Sequence, residues 1–145
     1  DGVEDEHNLG SILRVAECAG ADGVGIPAVK GASVTEAVIR ISAGAAEHIR
    51  VAKVVSLNRA VEQLQDAGYW VYALEAWGES IYQKDLSGKV ALIVGGEDSG
   101  VKRLTREKCD GVLSIPLFGK VNSLNASVAL GIAVYEVVRA RLQGK

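Results

Sequence analysis

Residues Val90–Gly100 read Val-Ala-Leu-Ile-Val-Gly-Gly-Glu-Asp-Ser-Gly and give the strongest indication of the fold. Its five consecutive apolar residues predict a buried strand, which we place at the centre of a sheet with both faces covered. The glycines that follow allow a ligand to approach the backbone closely. In a parallel sheet, ligands bind at the carboxyl ends of the strands. The stretch therefore predicts either a ligand site or an ordinary turn with exposed acids.

Two common nucleotide-binding patterns do not fit this turn. A dinucleotide fingerprint, G-x-G-x-x-G, would need glycine where Glu97 stands, and no G-K-[ST] follows to complete a P-loop. The turn alone therefore does not name its ligand.

Outward from this strand, apolar runs and amphipathic segments alternate, which predicts one α/β domain over residues 1–145 with a largely parallel sheet and flanking helices. The first three residues resemble the tail of a strand, so we expect further sequence upstream. The expected strands are residues 24–26, 51–55, 69–74, 90–94 and 111–115, and the expected helices are residues 8–20, 35–41, 57–67 and 125–142, with a short basic helix after Gly100.

Composition excludes several classes of protein. No apolar run approaches the roughly 20 residues that cross a bilayer, and the two cysteines, Cys18 and Cys109, are too few for a disulfide framework or a zinc site. We expect both to be small buried thiols in a reducing cytoplasm. The net charge is −2, which is unusual for a domain that binds nucleic acid alone. A local basic segment, residues 101–108, fits either a solvated helix face or a surface for a phosphate backbone.

Polar residues near the predicted strand ends have two interpretations each. Asn8 is either the N-cap of the first helix or a site residue. Arg14 is either a surface arginine or a residue whose guanidinium binds a phosphate or carboxylate. The polar loop 118–127 either caps the last helix, through Ser123 or Asn125, or displays hydrogen-bonding groups to a ligand.

Three segments of the chain form one pattern in register, and they are His7–Arg14, Ala91–Gly100, and Ile115–Gly119 together with Ser123–Ala129. This pattern resembles the SpoU family of RNA ribose methyltransferases, in the SPOUT superfamily, and the similarity extends over essentially the whole chain. Asp98 departs from the family pattern, which frequently has glycine there, and Glu6 stands where the family commonly has proline or a small residue.

The resemblance implies an activity and an architecture. The activity is transfer of a methyl group from S-adenosylmethionine to a ribose 2′-hydroxyl of rRNA or tRNA, with the bacterial guanosine enzymes as the most similar subgroup. The architecture is a homodimer with the first and last helices at the interface, and a C-terminal trefoil knot formed by the loops after Leu74, Val94 and Ile115. A substrate-binding domain is expected upstream, as in many relatives.

The resemblance also implies which residues form the site. Arg14 is the group proposed to activate the ribose hydroxyl; since arginine stays protonated, we expect it to bind the adjacent phosphate and stabilise oxyanion charge. The expected cofactor contacts are Leu74, Gly95, Gly96, Ile115, Leu117 and Leu124, and the expected catalytic residues are Asn8, Arg14, Glu97, Ser123 and Asn125.

Two alternatives stay open at the level of sequence. One is a non-catalytic RNA-binding or ribosome-assembly module with the same fold, which would not bind S-adenosylmethionine. The other is a nucleotide-binding oxidoreductase domain, which a nicotinamide titration would detect.

Overall fold

Strands and helices alternate along the described part of the chain, which in the computed structural model is residues 1–28, 31–97 and 99–144. Asp98 of the glycine turn lies outside these residues. The strand pairings described are all parallel, which confirms the expected α/β class. In chain order the elements are α1 (Glu6–Cys18), β1 (Val24–Pro27), α2 (Glu36–Ile41), a 3₁₀ turn (Ala45–Glu47), β2 (Val51–Val54), α3 (Leu57–Asp66), β3 (Trp70–Ser80), a second 3₁₀ turn (Ile81–Gln83), β4 (Val90–Ile93), α4 (Arg103–Lys108), β5 (Gly111–Ser114) and α5 (Ala126–Gln143).

The strands form two parallel sheets, β1–β2 and β4–β3–β5, so the expected central place of β4 is wrong. β3 is the middle strand, and its residues 71–74 are buried, whereas those of β4 are only half-buried. The apolar side chains of β4 are explained by a cavity of about 620 Å³ that they line together with β1, β2, α3 and α5. A run of apolar residues is therefore typical of a strand that borders an apolar cavity as well as of a central strand.

Polar side chains define where the helices begin. Thr35, Ser56 and Asn125 accept hydrogen bonds from the first free backbone N–H groups of α2, α3 and α5, and each such cap is worth about 1 kcal/mol. α1 begins earlier than predicted, because the carboxylate of Asp5 accepts from the N–H of His7 at 2.7 Å. The interpretation of Asn8 as the cap is therefore wrong, and its amide is free for other contacts.

Helix α1 is held by two buried apolar clusters at once. Its Ile12 packs with β3, β5 and α5, while Leu9 and Leu13 pack with β1 and α2. Gly10 allows α2 to come close, since a Cβ there would lie 2.6 Å from Cγ2 of Ile41. Full burial of a leucine such as Leu13 stabilises the fold by about 2 kcal/mol. This packing fixes the face of α1 that carries Asn8.

The two thiols differ in environment, and the prediction that both are buried is wrong for Cys18. Cys18 is exposed and Cys109 is half-buried. Burial, with a smaller contribution from the charge of Asp110, raises the pKa of the Cys109 thiol to about 11.

We expect a thiol reagent at neutral pH to label Cys18 first and Cys109 at least about tenfold more slowly, because only the thiolate reacts. Mass spectrometry of iodoacetamide-treated protein over time would measure both rates, and a Cys18→Ser variant would isolate the slower one. Equal rates would contradict the environment described for Cys109.

No helix in the described ranges is both long enough and apolar enough to cross a membrane.

Candidate active site

The turn after β4 depends on glycine for steric reasons. The backbone N–H of Gly100 donates to the carbonyl of Gly96 at 2.9 Å, which closes the turn. Gly100 has φ +64°, a conformation that favours glycine. A methyl group on Gly95 would overlap the carbonyl carbon of Gly100. The two ends of the turn are therefore in direct backbone contact.

A cleft of about 500 Å³ opens beside this turn, where the buried part of β3 and the strands β4 and β5 end. Such an edge is where open parallel sheets bind ligands. All six expected cofactor contacts line the cleft, and so do three expected catalytic residues. The structure thus brings together residues that are up to about 50 positions apart in the chain. They are Leu74, Gly95, Gly96, Ile115, Leu117 and Leu124, with Glu97, Ser123 and Asn125.

Asn8, Glu97 and Asn125 form a hydrogen-bonded triad at the rim of the cleft. Nδ2 of Asn8 donates to Oε1 of Glu97 at 3.2 Å, and Nδ2 of Asn125 donates to Oδ1 of Asn8 at 3.0 Å. Nδ2 of Asn125 also lies 3.4 Å from Oε1 of Glu97. Asn8 is only 6% exposed, so its side-chain amide relies on these partners. The triad fixes the carboxylate of Glu97 in one orientation.

The side chain of Asn125 also caps α5, because its Oδ1 accepts from the N–H groups of Ser127 and Val128 at the start of that helix. The side chain of Asn125 therefore caps α5 and also contacts α1 and the glycine turn. Of the two alternatives that the sequence left open for Asn125, the helix cap is confirmed, and its role as a site residue stays a prediction.

Arg14 and Ser123 are placed differently. Ser123 is exposed and lines the cleft. Arg14 is exposed on α1, six residues beyond Asn8, which corresponds to about 9 Å along the helix and roughly 120° around it. A single chain does not bring Arg14 into the triad, and in the described ranges no hydrogen bond or ion pair holds it. Its role stays a prediction.

The basic segment around α4 has acidic partners. This pairing favours the interpretation as a solvated helix face over that of a free phosphate-binding stripe, although each exposed pair is weak on its own. The pairs and their N–O distances are Lys102 with Asp1 (4.0 Å), Arg103 with Glu107 (3.8 Å), Arg106 with Glu75 (3.7 Å) and Lys108 with Glu62 (2.8 Å).

Glu75 is a residue of this site that the sequence reasoning missed. It lines the cleft and contacts the end of the glycine turn. The signal was present in the sequence, because Glu75 is the first charged residue after the apolar run of β3, at the strand edge where ligands bind.

The structure is that of an α/β domain with a cleft at the carboxyl edge of its larger sheet, and comparison with known proteins specifies it further. The profile of the SpoU rRNA Methylase family matches residues 1–135. The chain belongs to this family.

Individual relatives agree with that assignment. The 23S rRNA (guanosine-2′-O-)-methyltransferase RlmB of Xanthomonas axonopodis pv. citri is 50% identical over 143 residues, which cover 98% of this chain and 57% of the relative. The SpoU methyltransferase AviRb from Streptomyces viridochromogenes, solved in complex with AdoMet, superposes with a TM-score of 0.90 at 30% identity, covering 100% of this chain and 57% of that one.

A second solved structure, the TrmH/SpoU tRNA modifying enzyme of A. aeolicus, has a TM-score of 0.89 at 27% identity and covers 99% of this chain and 74% of that one. The chain thus spans little more than half the length of the RlmB relative and of AviRb.

Proposed function

We propose that this domain transfers a methyl group from S-adenosylmethionine to the 2′-hydroxyl of a guanosine ribose in ribosomal RNA. The single observation that carries the proposal is the cleft, in which the expected cofactor contacts and the hydrogen-bonded triad meet at one edge of the sheet. The name of the 50% identical relative supports rRNA, rather than tRNA, as the substrate class.

The residues of the cleft fit this cofactor. Its volume of about 500 Å³ lies within the roughly 300–1,000 Å³ of small-molecule sites. Gly95 and Gly96 line the cleft, so a nucleoside would lie against the backbone of the glycine turn. Apolar contacts come from Leu74, Ile115 and Leu124. When bound there, S-adenosylmethionine would supply an electrophilic methyl group beside the triad.

The triad would orient the ribose. Oε1 of Glu97 already accepts from the side-chain amide of Asn8 and lies near that of Asn125, which leaves Oε2 to accept from a ribose hydroxyl. Ser123 lines the same cleft and would complete the ribose pocket. Positioning the hydroxyl in line with the methyl group is the main requirement of the reaction.

Arg14 would act on the substrate from a second copy of the chain. It lies on an exposed face of α1, away from the triad of its own chain, and a protonated guanidinium binds phosphate and stabilises developing oxyanion charge. Apolar side chains on α5 and on the neighbouring loop are exposed and suit a homodimer interface. The most exposed of them are Phe118 (95%), Val121 (77%), Leu142 (70%), Val128 (50%) and Tyr135 (46%).

The trefoil knot and the cellular location are part of the same proposal. The segments that follow Leu74, β4 and β5 all line the cleft, which supports a knot made of these three segments. The two free thiols support a reducing cytoplasm.

Calorimetric titration with S-adenosylmethionine tests the proposal, with NADH as the control ligand. Saturable binding of S-adenosylmethionine alone, followed by methyl transfer to ribosomal RNA, is the expected result. Binding of NADH would support an oxidoreductase instead. A folded domain that binds neither would favour a non-catalytic RNA-binding module.

Arg14→Ala is expected to lower kcat for methyl transfer by about 100-fold or more, the range for removal of one group that stabilises transition-state charge. The Kd for S-adenosylmethionine should stay within about twofold, because Arg14 does not line the cleft. Arg59→Ala, a change at another exposed helical arginine, is the matched control. Full activity of Arg14→Ala would remove the assigned role.

A further inference from the structure

The middle strand of the larger sheet leaves its ladder and returns to it. Leu113 of β5 is aligned both with Leu74 and with Glu79 of β3, so residues 75–78 form an excursion between two paired stretches. Gly78 makes the return possible: its φ is +127°, and a Cβ there would lie 2.7 Å from the carbonyl oxygen of Val112. Within this excursion, Glu75 contacts the end of the glycine turn and the ring of Trp77 lies under the guanidinium of Arg106.

Glu75 contacts the end of that turn. Its Oε2 accepts from the backbone N–H of Val101 at 3.1 Å. A Cβ on Gly100 would lie 2.7 Å from its Oε1, so the carboxylate packs directly against the last glycine. Gly100 is in backbone contact with Gly95, and both glycines line the cleft together with Glu75. The carboxylate of Glu75 therefore supports the glycine turn that forms one wall of the cleft.

Arg106 holds this carboxylate in place. Its Nη1 lies 3.7 Å from Oε2 of Glu75 and donates to the carbonyl of Val101 at 3.1 Å. The guanidinium lies over the ring of Trp77, 5.3 Å from its centroid. The side chains of Glu75 and Arg106 are 13% and 25% exposed, so solvent screens this pair less than the other pairs of α4.

We propose that Glu75 is a positioning residue, whose carboxylate, held by Arg106, keeps the Gly95–Gly100 turn in the shape that admits the cofactor. The inference rests on the proposed function, since it concerns the same cleft. It predicts that Glu75 acts on cofactor affinity and leaves the methyl-transfer step itself unchanged. A residue that only stabilised the fold would lower the fraction of active protein without changing the affinity of that fraction.

The test compares Glu75→Ala, Glu75→Gln and a matched control, Glu79→Gln. Glu79 lies on the same strand but pairs with Lys84 at the surface, 3.6 Å away. For Glu75→Ala we expect the Kd and KM for S-adenosylmethionine to rise about 10- to 100-fold, as for loss of a hydrogen bond to a charged group. The kcat at saturating cofactor should stay within about threefold.

Glu75→Gln retains one oxygen that can accept from Val101, but it loses the charge and replaces the other oxygen by an NH2 group. Its Kd should therefore lie between those of wild type and Glu75→Ala. Glu79→Gln should bind as wild type does. A wild-type Kd in folded Glu75→Ala would overturn the inference. If Glu75→Ala does not fold, the isosteric Glu75→Gln variant is used instead, and a wild-type Kd in that variant would overturn the inference. Wild-type protein that binds no S-adenosylmethionine overturns the proposed function and this inference together.

Discussion

Gly95→Ala is expected to raise the Kd for S-adenosylmethionine at least about 100-fold, a loss of the size seen when a well-packed site is blocked. The added methyl group would overlap the carbonyl carbon of Gly100. Because backbone on both sides of the contact is fixed, by the turn hydrogen bond and by Glu75, the turn must open and its wall of the cleft must move. Calorimetric titration measures the affinity, and circular dichroism confirms that the variant is folded.

Gly119→Ala is the matched control for this prediction. A Cβ at Gly119 meets no heavy atom within 4 Å in the described part of the chain, so the substitution should leave the Kd within about twofold. Wild-type affinity in Gly95→Ala would mean that the turn does not form the wall of the cofactor site.

Asn8→Asp is expected to have the second large effect, a loss of methyl transfer of about 100-fold or more together with lower stability. The change removes the donor to Glu97 and places a second carboxylate beside it, in a position that is 6% exposed. Affinity for S-adenosylmethionine should change much less, because Asn8 does not line the cleft. Methyl-transfer assays and thermal unfolding measure the two effects.

The stability loss of Asn8→Asp should become smaller as the pH falls. Burial at position 8 and the neighbouring negative charge raise the pKa of the introduced carboxyl in the folded state above its unfolded value. Folded protein then binds more protons than unfolded protein, so the deficit in the free energy of unfolding should shrink as the pH falls from about 8 to about 5.

Asn58→Asp provides the control with the same chemical change. Oδ1 of Asn58 accepts from the hydroxyl of Thr105 at 2.8 Å, and an aspartate oxygen can replace it. A stability deficit equal to that of Asn8→Asp, with the same pH dependence, would show that the pairing with Glu97 is not the cause.

Local sequence was sufficient to locate the helices, apart from the start of α1, and to locate the strand edge that borders the cleft. Caps such as Thr35, Ser56 and Asn125 act within three residues of themselves, so their positions can be read from the chain. The clustering of the predicted residues at one edge follows from the parallel alternation of strands and helices.

Features that depend on distant partners could not be read in the same way. β4 is apolar because it lines a cavity together with β1, β2, α3 and α5. The place of β3 as the middle strand depends on its pairing with both β4 and β5. The N-cap of α1 was misassigned because two candidate caps, Asp5 and Asn8, lie three residues apart. Glu75 gains its importance from Val101 and Arg106, which are 26 and about 30 residues away and whose proximity no periodicity reveals.

The acidic partners of α4 have a consequence for how the domain would meet a polynucleotide. A cation that must first leave a carboxylate gains less from neutralising a phosphate, and it releases fewer condensed counterions from the nucleic acid. The ionic-strength dependence of RNA association should therefore owe little to this helix. Under the proposed function, other surfaces would attract RNA at long range. This domain would contribute recognition at short range, where a ribose would enter the cleft.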